Sequence, residues 1–503
     1  MYHTFPLSFP SFLSNVRDKL QSLFRGESAD TSKATPEVGR DLITEALETA
    51  PLSVFIPERF GGRGQHVHEC LALLETCAYE SLPLSLVAGI NGALFLQPVS
   101  KYAAEELQKE VFGRFLNDRA LGGLMITEPD FGSDALQMRT SSRKEDGGYR
   151  IQGTKHWGGL TGRADYWLLT ARGETADGVL ERNISFFVWD KSLGGIEVEE
   201  YYRNLGLEMI TYGRNRIDAY LPSDRKLASD GSGVRMLLDL LHRSRLQFPG
   251  MAVGFLRRLL DEARDHSRSR VVGGKRLADY DQVQDRLAEL QAAYTACSAM
   301  CVYSSDVAGV DNDCSVHAFP ANSIKSVVTD MMQSAAQSVL QLIGAKGYRR
   351  DHIAGSAPVD SRPFQIFEGS NDILYEQISE FVVKSMNRLK ESNLYRFLGS
   401  FELTSRAAAR VRELLDFTLE SGVPQRKMVD LGRILGRLVS MQMVIDLGDR
   451  GFRKDLIDNC LAMMRRQISS LVGTYSDPHR VTLVEDYDRE SSWLGSWSAI
   501  RRS

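Results

Sequence analysis

Cysteine is scarce in this chain, at six residues in 503, and none forms a CxxC pair. So sparse a set excludes a disulfide framework and points to a reducing, cytoplasmic setting. Cys297 and Cys301 share a helix face and Cys314 is near His317, yet a zinc site needs four converging ligands, so no metal is expected. A basic excess is also missing. With 61 Lys and Arg against 65 Asp and Glu the formal net charge is -4 at pH 7, which leaves no surplus to neutralise a nucleic-acid backbone. The longest apolar region, LPLSLVAGINGALFLQPV at 82–99, is interrupted by Pro83, Asn91 and Gln97. It lacks the roughly 18 uninterrupted apolar residues of a membrane span, so no span is expected and the stretch reads as a buried helix. No internal repeat or low-complexity tract is evident. Pro6, Pro10 and Asp18 spoil residues 1–36 as a secretory or transit signal, and that segment is expected to be a leader, poorly ordered or docked on the surface.

What is present is an ordinary globular composition, 43% hydrophobic and 25% charged, in a chain long enough for three or four modules. Residues 37–120 carry a helical period: VHECLALLETCAYE puts Leu71, Leu73, Leu74 and Cys77 on one stripe. The glycine cluster PERFGGRG at 57–64 reads as a tight turn. Texture changes over 121–230, where ADYWLLTAR, NISFFVWD, GIEVEEYY and NRIDAYLP are short β-branched and aromatic segments between turns, the pattern of an antiparallel sheet. The helical period returns over 231–391, and three long helices plus one after Glu368 make a four-helix bundle. An appended helical domain, 392–503, contains FELTSRAAARVRELLDFTLE and KMVDLGRILGRLVSMQMVIDLGDRG. In the second of these Met428, Leu431, Leu435, Leu438 and Ile445 form a core or partner-facing stripe. The fold class expected is therefore α+β and mostly helical.

Three short motifs hold the candidate chemistry. In QIFEGSNDIL (365–374), Glu368 sits between Ile366, Phe367 and a glycine, either as a carboxylate serving the amides of the helix that follows or as a base kept dry. MITEPDFGSD (125–134) offers Thr127 and Ser133, which taken alone are turn hydroxyls. GYRIQGTKHW (148–157) ends in Trp157, which alone could be a core aromatic, and Arg270 alone is a solvated helix charge.

In order and spacing these three motifs resemble the signatures of flavin-dependent acyl-CoA dehydrogenases, over about residues 45–390, and PERFGGRG and RSRVVGGKRLADYDQVQ (268–284) fit the same pattern. The resemblance implies FAD as cofactor, with Ile126, Thr127 and Ser133 against the flavin ring and its phosphates and Trp157 beside the ring. It implies Arg270 on the pyrophosphate of FAD in a neighbouring subunit, with Gln341, Gly344 and Gly347 in the adenine-side loop. Ser370 and Asp372 fall on the cofactor side after the base, and Ser133, Arg245 and Gly369 on the substrate side. Gly158 and Gly159 stand where the family has an Ile-Thr pair, and Thr161 could substitute only if the loop is re-routed. Ala345 and Val359 also depart from the pattern.

The same resemblance gives Glu368 the role of base, taking the α-proton of an acyl thioester while the β-hydrogen leaves as hydride to the flavin. The family's other base position, just before Arg245, holds Ser244 here. Residues Ser370 to Asp372 and the appended helices are similar to the very-long-chain subgroup. Expected partners are an acyl-CoA substrate, an electron-transfer flavoprotein and a second copy of the chain, as a homodimer or dimer of dimers. Alternatives left open are a thioester on a carrier protein, an oxidase returning electrons to oxygen, and a catalytically silent homologue acting in assembly.

Overall fold

The computed structural model describes residues 7–25, 36–132, 134–229, 231–420, 422–479 and 481–500. The first helix, α1 (Phe9–Arg25), falls in the stretch expected as a leader. Its Phe12, Val16 and Leu20 recur every four residues and are buried, so one face of the helix docks on the rest of the layer. Then come α2 (Pro36–Ala46) and α3 (Val67–Glu80), on which α1 packs; Arg25 Nε donates to Glu80 Oε2 at 2.6 Å.

The apolar stretch from Leu82 is one long helical run. It begins as α4 (Leu82–Asn91), passes through a π turn at Gly92–Leu96 and continues as α5 (Gln97–Tyr102), followed by α6 (Glu105–Asn117). Leu82–Tyr102 is long and apolar enough to cross a membrane by length and composition, but 89% of its most apolar window is buried in the fold. Gly92 is required inside it, since a Cβ there would sit 2.4 Å from the Phe55 ring.

The middle domain holds β1 (Gly122–Met125), β2 (Ser141–Glu145), β3 (Gly148–His156), β4 (Tyr166–Glu174), β5 (Leu180–Asp190), β6 (Ile196–Tyr201) and β7 (Gly213–Pro222) in one sheet. It is mixed rather than wholly antiparallel. Both β1 and β2 run parallel to β4, on successive lengths of it: β1 beside Tyr166–Leu169, β2 beside Arg172 and Gly173. The remaining pairs are antiparallel. The split arises because the chain leaves the sheet after Met125 and re-enters it at Ser141.

GVRMLLDLLHRSRLQFPGMAVGFLRRLL reads as one helix but forms two, α7 (Gly233–Arg245) and α8 (Phe248–Ser269). Pro249 explains the break, because it lacks the amide hydrogen a continuous helix would use and favours the first turn of a new one. A hairpin of β8 (Val271–Val272) and β9 (Lys275–Arg276) leads to α9 (Asp281–Val307), α10 (Ala318–Ile343), α11 (Ile353–Ser361) and α12 (Asn371–Leu389). Helix α8 approaches α3 closely at Gly250 and Gly254, where an added Cβ would meet backbone Leu71 O at 2.8 Å and Glu75 O at 2.0 Å.

The appended region starts with three short helices, α13 (Leu394–Ser400), α14 (Ser405–Arg410) and α15 (Arg412–Leu415), the last two within 401–420, which its helical period presents as one helix. Long-range bonds override the local helical period: Gln442 Oε1 accepts the amides of Arg406 and Ala407, and Leu394 N and Leu419 N bond to Phe417 O and Ser392 O. Next come α16 (Gln425–Asp449) and α17 (Lys454–Ser476). Leu431, Leu435, Leu438 and Ile445 of α16 are buried, Met428 partly so, and α16 lies along α9, α10 and α12. It is thus part of the bundle's core rather than a satellite.

Candidate active site

The loop between β1 and β2 is held by a buried ion pair. Glu128 accepts from Arg139 N at 2.6 Å, Thr140 N at 3.0 Å, Thr140 Oγ1 at 2.5 Å and Lys155 Nζ at 2.8 Å. Lys155, buried on β3, also donates to Ile126 O and Thr170 Oγ1, each at 3.1 Å. Burial pushes Lys155 down to about 8, with Glu128 opposing. Burial also works to raise Glu128, but Lys155 and the other donors outweigh it and leave the carboxyl below its ordinary value. Each partner lets the other stay charged inside the sheet, where an unpaired charge would be very costly.

The strut presents Ile126 and Thr127 half-buried at the mouth of the loop. Thr127 O accepts from His156 N at 3.0 Å, and its hydroxyl bonds to none of the described residues. Ser133 lies outside the described residues. One residue after β3, Trp157 takes a left-handed φ of 59° and stands 53% exposed, its ring 4.6 Å from that of Tyr202. An exposed tryptophan on a rigid aromatic platform suits stacking with a planar group. Thr161 does not replace the missing Ile-Thr hydroxyl. It is buried, donates to Gly158 O at 2.8 Å and accepts from Asn215 Nδ2 at 3.2 Å. A Cβ on Gly159 would come within 2.8 Å of Ile90 Cδ1, so the bare turn packs directly on α4.

On the bundle side, the α7–α8 break puts Ser244 and Arg245 against the residues that precede α12. Glu368 has φ 53° and Gly369 φ 92°, so the chain makes two consecutive left-handed steps, a conformation a glutamate adopts only when its surroundings over-determine it. Arg245 donates to Glu368 O from Nε at 3.0 Å and Nη2 at 2.6 Å, and from Nη1 to Asn322 Oδ1 at 2.7 Å. Buried Lys325 donates to Gly369 O at 2.7 Å and Asn371 Oδ1 at 3.0 Å. Two buried cations thus grip two successive carbonyls. Burial pushes Arg245 down to about 10 and Lys325 to about 7, where the positive Arg245 adds to the effect.

The Glu368 carboxyl is held differently. Ser244 Oγ donates to Oε1 at 2.8 Å, while Oε2 is buried with no hydrogen-bond partner. Burial raises the carboxyl above its ordinary value, opposed by Arg245, the Ser244 hydroxyl and Lys325. It does not serve the amides of α12, since the N-cap of that helix is Ser370 and no side chain caps it. Asp372 is exposed and accepts from Arg433 Nη2 of α16 at 3.2 Å. The donors of Arg245, expected to face substrate, go to Glu368 O and Asn322, so it acts on the loop.

Arg270, Gln341 and Gly344 are exposed at the opposite end of the bundle, with Gly347 buried beside Ile343. There His352 Nε2 stands 3.5 Å from Glu262 Oε1, tying α11 to α8. Helix α8, 22 residues long, separates this end from Glu368 by about 33 Å at 1.5 Å per residue. Within one chain these four residues are not brought to Glu368.

Sequence reasoning overlooked Lys325, Asn322 and Asp330, and placed Asn371 in the motif after Glu368 without its bonds to Lys325 and Asp330. A signal was there: Asn322, Lys325 and Thr329, at i, i+3 and i+7, put polar side chains on one face of a helix that is buried along its length.

Family models match the chain in three places: the acyl-CoA dehydrogenase N-terminal domain over residues 11–118, the middle domain over 123–219 and the C-terminal domain over 231–383. An acyl-CoA dehydrogenase of Bacillus subtilis (strain 168) is 25% identical over 361 residues, 71% of this chain and 93% of the relative. The mitochondrial very long-chain specific acyl-CoA dehydrogenase of Mus musculus is 24% identical over 347 residues, 68% of this chain and 53% of the relative. The chain thus spans about half the length of that second relative. A solved acyl-CoA dehydrogenase complexed with FAD, from Bacillus anthracis, shares the fold with a TM-score of 0.76 at 17% identity, covering 99% of this chain and 92% of the other.

Proposed function

This chain belongs to the acyl-CoA dehydrogenase family, oxidoreductases acting on CH–CH bonds, and from that premise we propose that it introduces an α,β double bond into an acyl-CoA thioester with Glu368 as base. FAD, when bound, supplies the acceptor for the β-hydrogen leaving as hydride at N5, so that the product is a trans-2-enoyl thioester. The residues present fit that group. Thr127 offers a hydroxyl bonded to none of the described residues, and Trp157, which follows the His156 whose amide donates to Thr127 O, offers an exposed ring face. Ser133, Ser370 and Asp372 would join them, and Arg270, Gln341, Gly344 and Gly347 would hold the far end of FAD in a second copy of the chain. The span of α8 supports that division between two chains, hence a homodimer or a dimer of dimers.

The observation that carries the reading is the orphaned, buried Oε2 of Glu368. A solvated carboxylate is too weak a base for the α-proton of a thioester, whereas burial strengthens it and keeps water from competing. Ser244 fixes Oε1, which leaves Oε2 to take the proton. The amide of Glu368 donates to no oxygen of the described residues, so it is open to the thioester oxygen as negative charge develops there. Gly369 keeps that approach free of a side chain. Electrons then pass to an electron-transfer flavoprotein, and the six free cysteines support a reducing, cytoplasmic location.

Anaerobic addition of acyl-CoAs of graded length to purified protein, followed at the oxidised-flavin band near roughly 450 nm, tests this. Bleaching is expected in the wild type and its loss, with flavin retained, in Glu368→Gln. Undiminished bleaching in Glu368→Gln would refute the base. A flavin that ignores every CoA ester but bleaches with a carrier-bound thioester would move the substrate to the carrier, and absence of flavin would favour a silent assembly partner.

A further inference from the structure

Helix α16 touches the base loop through a continuous set of polar side chains, and its approach is engineered by two glycines. A Cβ on Gly432 would lie 2.0 Å from Tyr375 O of α12, and one on Gly436 would lie 3.0 Å from Val327 Cγ2 of α10. Only a bare position at 432 lets α16 come so near α12, and Gly436 keeps its contact with α10 uncrowded. That approach carries the next residue, Arg437, between them, where its side chain is 13% exposed.

Arg437 Nη1 donates to Tyr375 OH at 3.1 Å, and Nη2 stands 3.5 Å from Asp330 Oδ2. Tyr375 OH donates to the same Oδ2 at 2.6 Å. The other oxygen of Asp330 accepts from Asn371 Nδ2 at 2.7 Å and Gln365 Nε2 at 2.8 Å. Asn371 Oδ1 in turn accepts from Lys325 Nζ, which holds Gly369 O. Arg437 is the cation nearest the Asp330 carboxylate in this set. We propose that Arg437 is a positioning residue for the base: by neutralising Asp330 it keeps Asn371 and Lys325 on the Gly369 carbonyl and so holds Glu368 in its left-handed turn.

The physical reason lies in charge balance. Without Arg437, the Asp330 carboxylate faces only neutral donors in a largely buried place, and Lys325 becomes the nearest source of compensation. A shift of Lys325 toward Asp330 would release Gly369 O, and two successive left-handed residues would lose one of the two cations that over-determine them. The appended region then contributes to catalysis from a helix that touches neither substrate nor cofactor. Spatial continuity by itself does not establish coupling, so the test measures coupling.

This inference rests on the proposed role of Glu368. In Arg437→Met the rate of anaerobic flavin reduction by acyl-CoA is expected to fall roughly tenfold to a hundredfold, the size of effect that follows from slight misplacement of a catalytic group. KM should hold within about threefold, because no substrate contact is removed. The low-pH limb of the rate should move, amide exchange over 366–374 should quicken, and Arg437→Lys should restore most of the rate. Tyr375→Phe, which removes only the linking hydroxyl, should show the same pattern more weakly and serves if Arg437→Met does not fold. Gln425→Ala is the control, since it removes the α16 contact to Glu376 and lies off the network; rate and exchange should be unchanged. Equal losses in Gln425→Ala would reduce Arg437 to a docking residue and overturn the proposal, as would wild-type rate and pH limb in Arg437→Met. If wild-type flavin is not reduced by any thioester, the functional reading fails; exchange over 366–374 still decides the network, and unchanged protection in Arg437→Met would overturn it.

Discussion

At one end of α8, Ser244, Arg245, Asn322 and Lys325 close around the Glu368–Gly369 turn, and the donors of two buried cations are matched to carbonyl and amide oxygens within the chain. At the other, about 33 Å away by helix rise, Arg270, Gln341 and Gly344 face solvent around a glycine turn at φ 72°. The two ends differ because the tasks proposed for them differ. A base has to be dry and rigidly aimed, so its surroundings must be complete before substrate arrives. A phosphate-binding end needs exposed positive charge and bare backbone, which the ligand and a neighbouring chain later cover.

That contrast can be broken at either end. Of variants at the two ends that leave the base itself in place, the larger effect is expected for Lys325→Met. It leaves Gly369 O buried without its donor, a penalty of about 1–3 kcal/mol, and loosens the turn, so anaerobic flavin reduction should slow by roughly one to two orders of magnitude while flavin content stays near wild type. Arg270→Ala should do the reverse and more mildly. Flavin should be lost on dilution roughly two- to tenfold more readily, as expected for one charge-assisted contact, while reduction at saturating FAD stays within about twofold. A reductive step slowed equally by both variants would erase the distinction between the ends.

Much of this was legible in the residues. Strand alternation and helical period located the three layers, and Glu368 between bulky apolar neighbours and a glycine already suggested a dry carboxylate. What was hidden depended on contacts far apart in the chain. The helix expected over 401–420 gave way to Gln442 and to pairing with residues 392–394, neither visible in a local window. The sheet was expected to be antiparallel because alternation says nothing of direction, and the loop around Glu128 is what lays β1 and β2 end to end. The resemblance put Arg245 on the substrate side; that it also anchors the turn rests on its bonds to Glu368 O and to Asn322, 77 positions later in the chain, which no local window shows. Glu128 and Lys155 lie inside two of the three motifs, and opposite charges at two strand ends are the local hint of the buried pair they form.

The most direct measurement is the pH dependence of anaerobic flavin reduction in the wild type, Ser244→Ala and Glu368→Gln. A base must be ionised to take a proton, so a carboxyl raised by burial loses activity as pH falls through its raised pKa. The wild type should therefore show a low-pH limb with its midpoint above the ordinary glutamate value of about 4.3. Removing the Ser244 donor, which favours the ionised form, should shift that limb higher, and Glu368→Gln should abolish reduction across the range. A rate that is flat down to ordinary carboxylate pH, or a limb that persists in Glu368→Gln, would contradict Glu368 as the base.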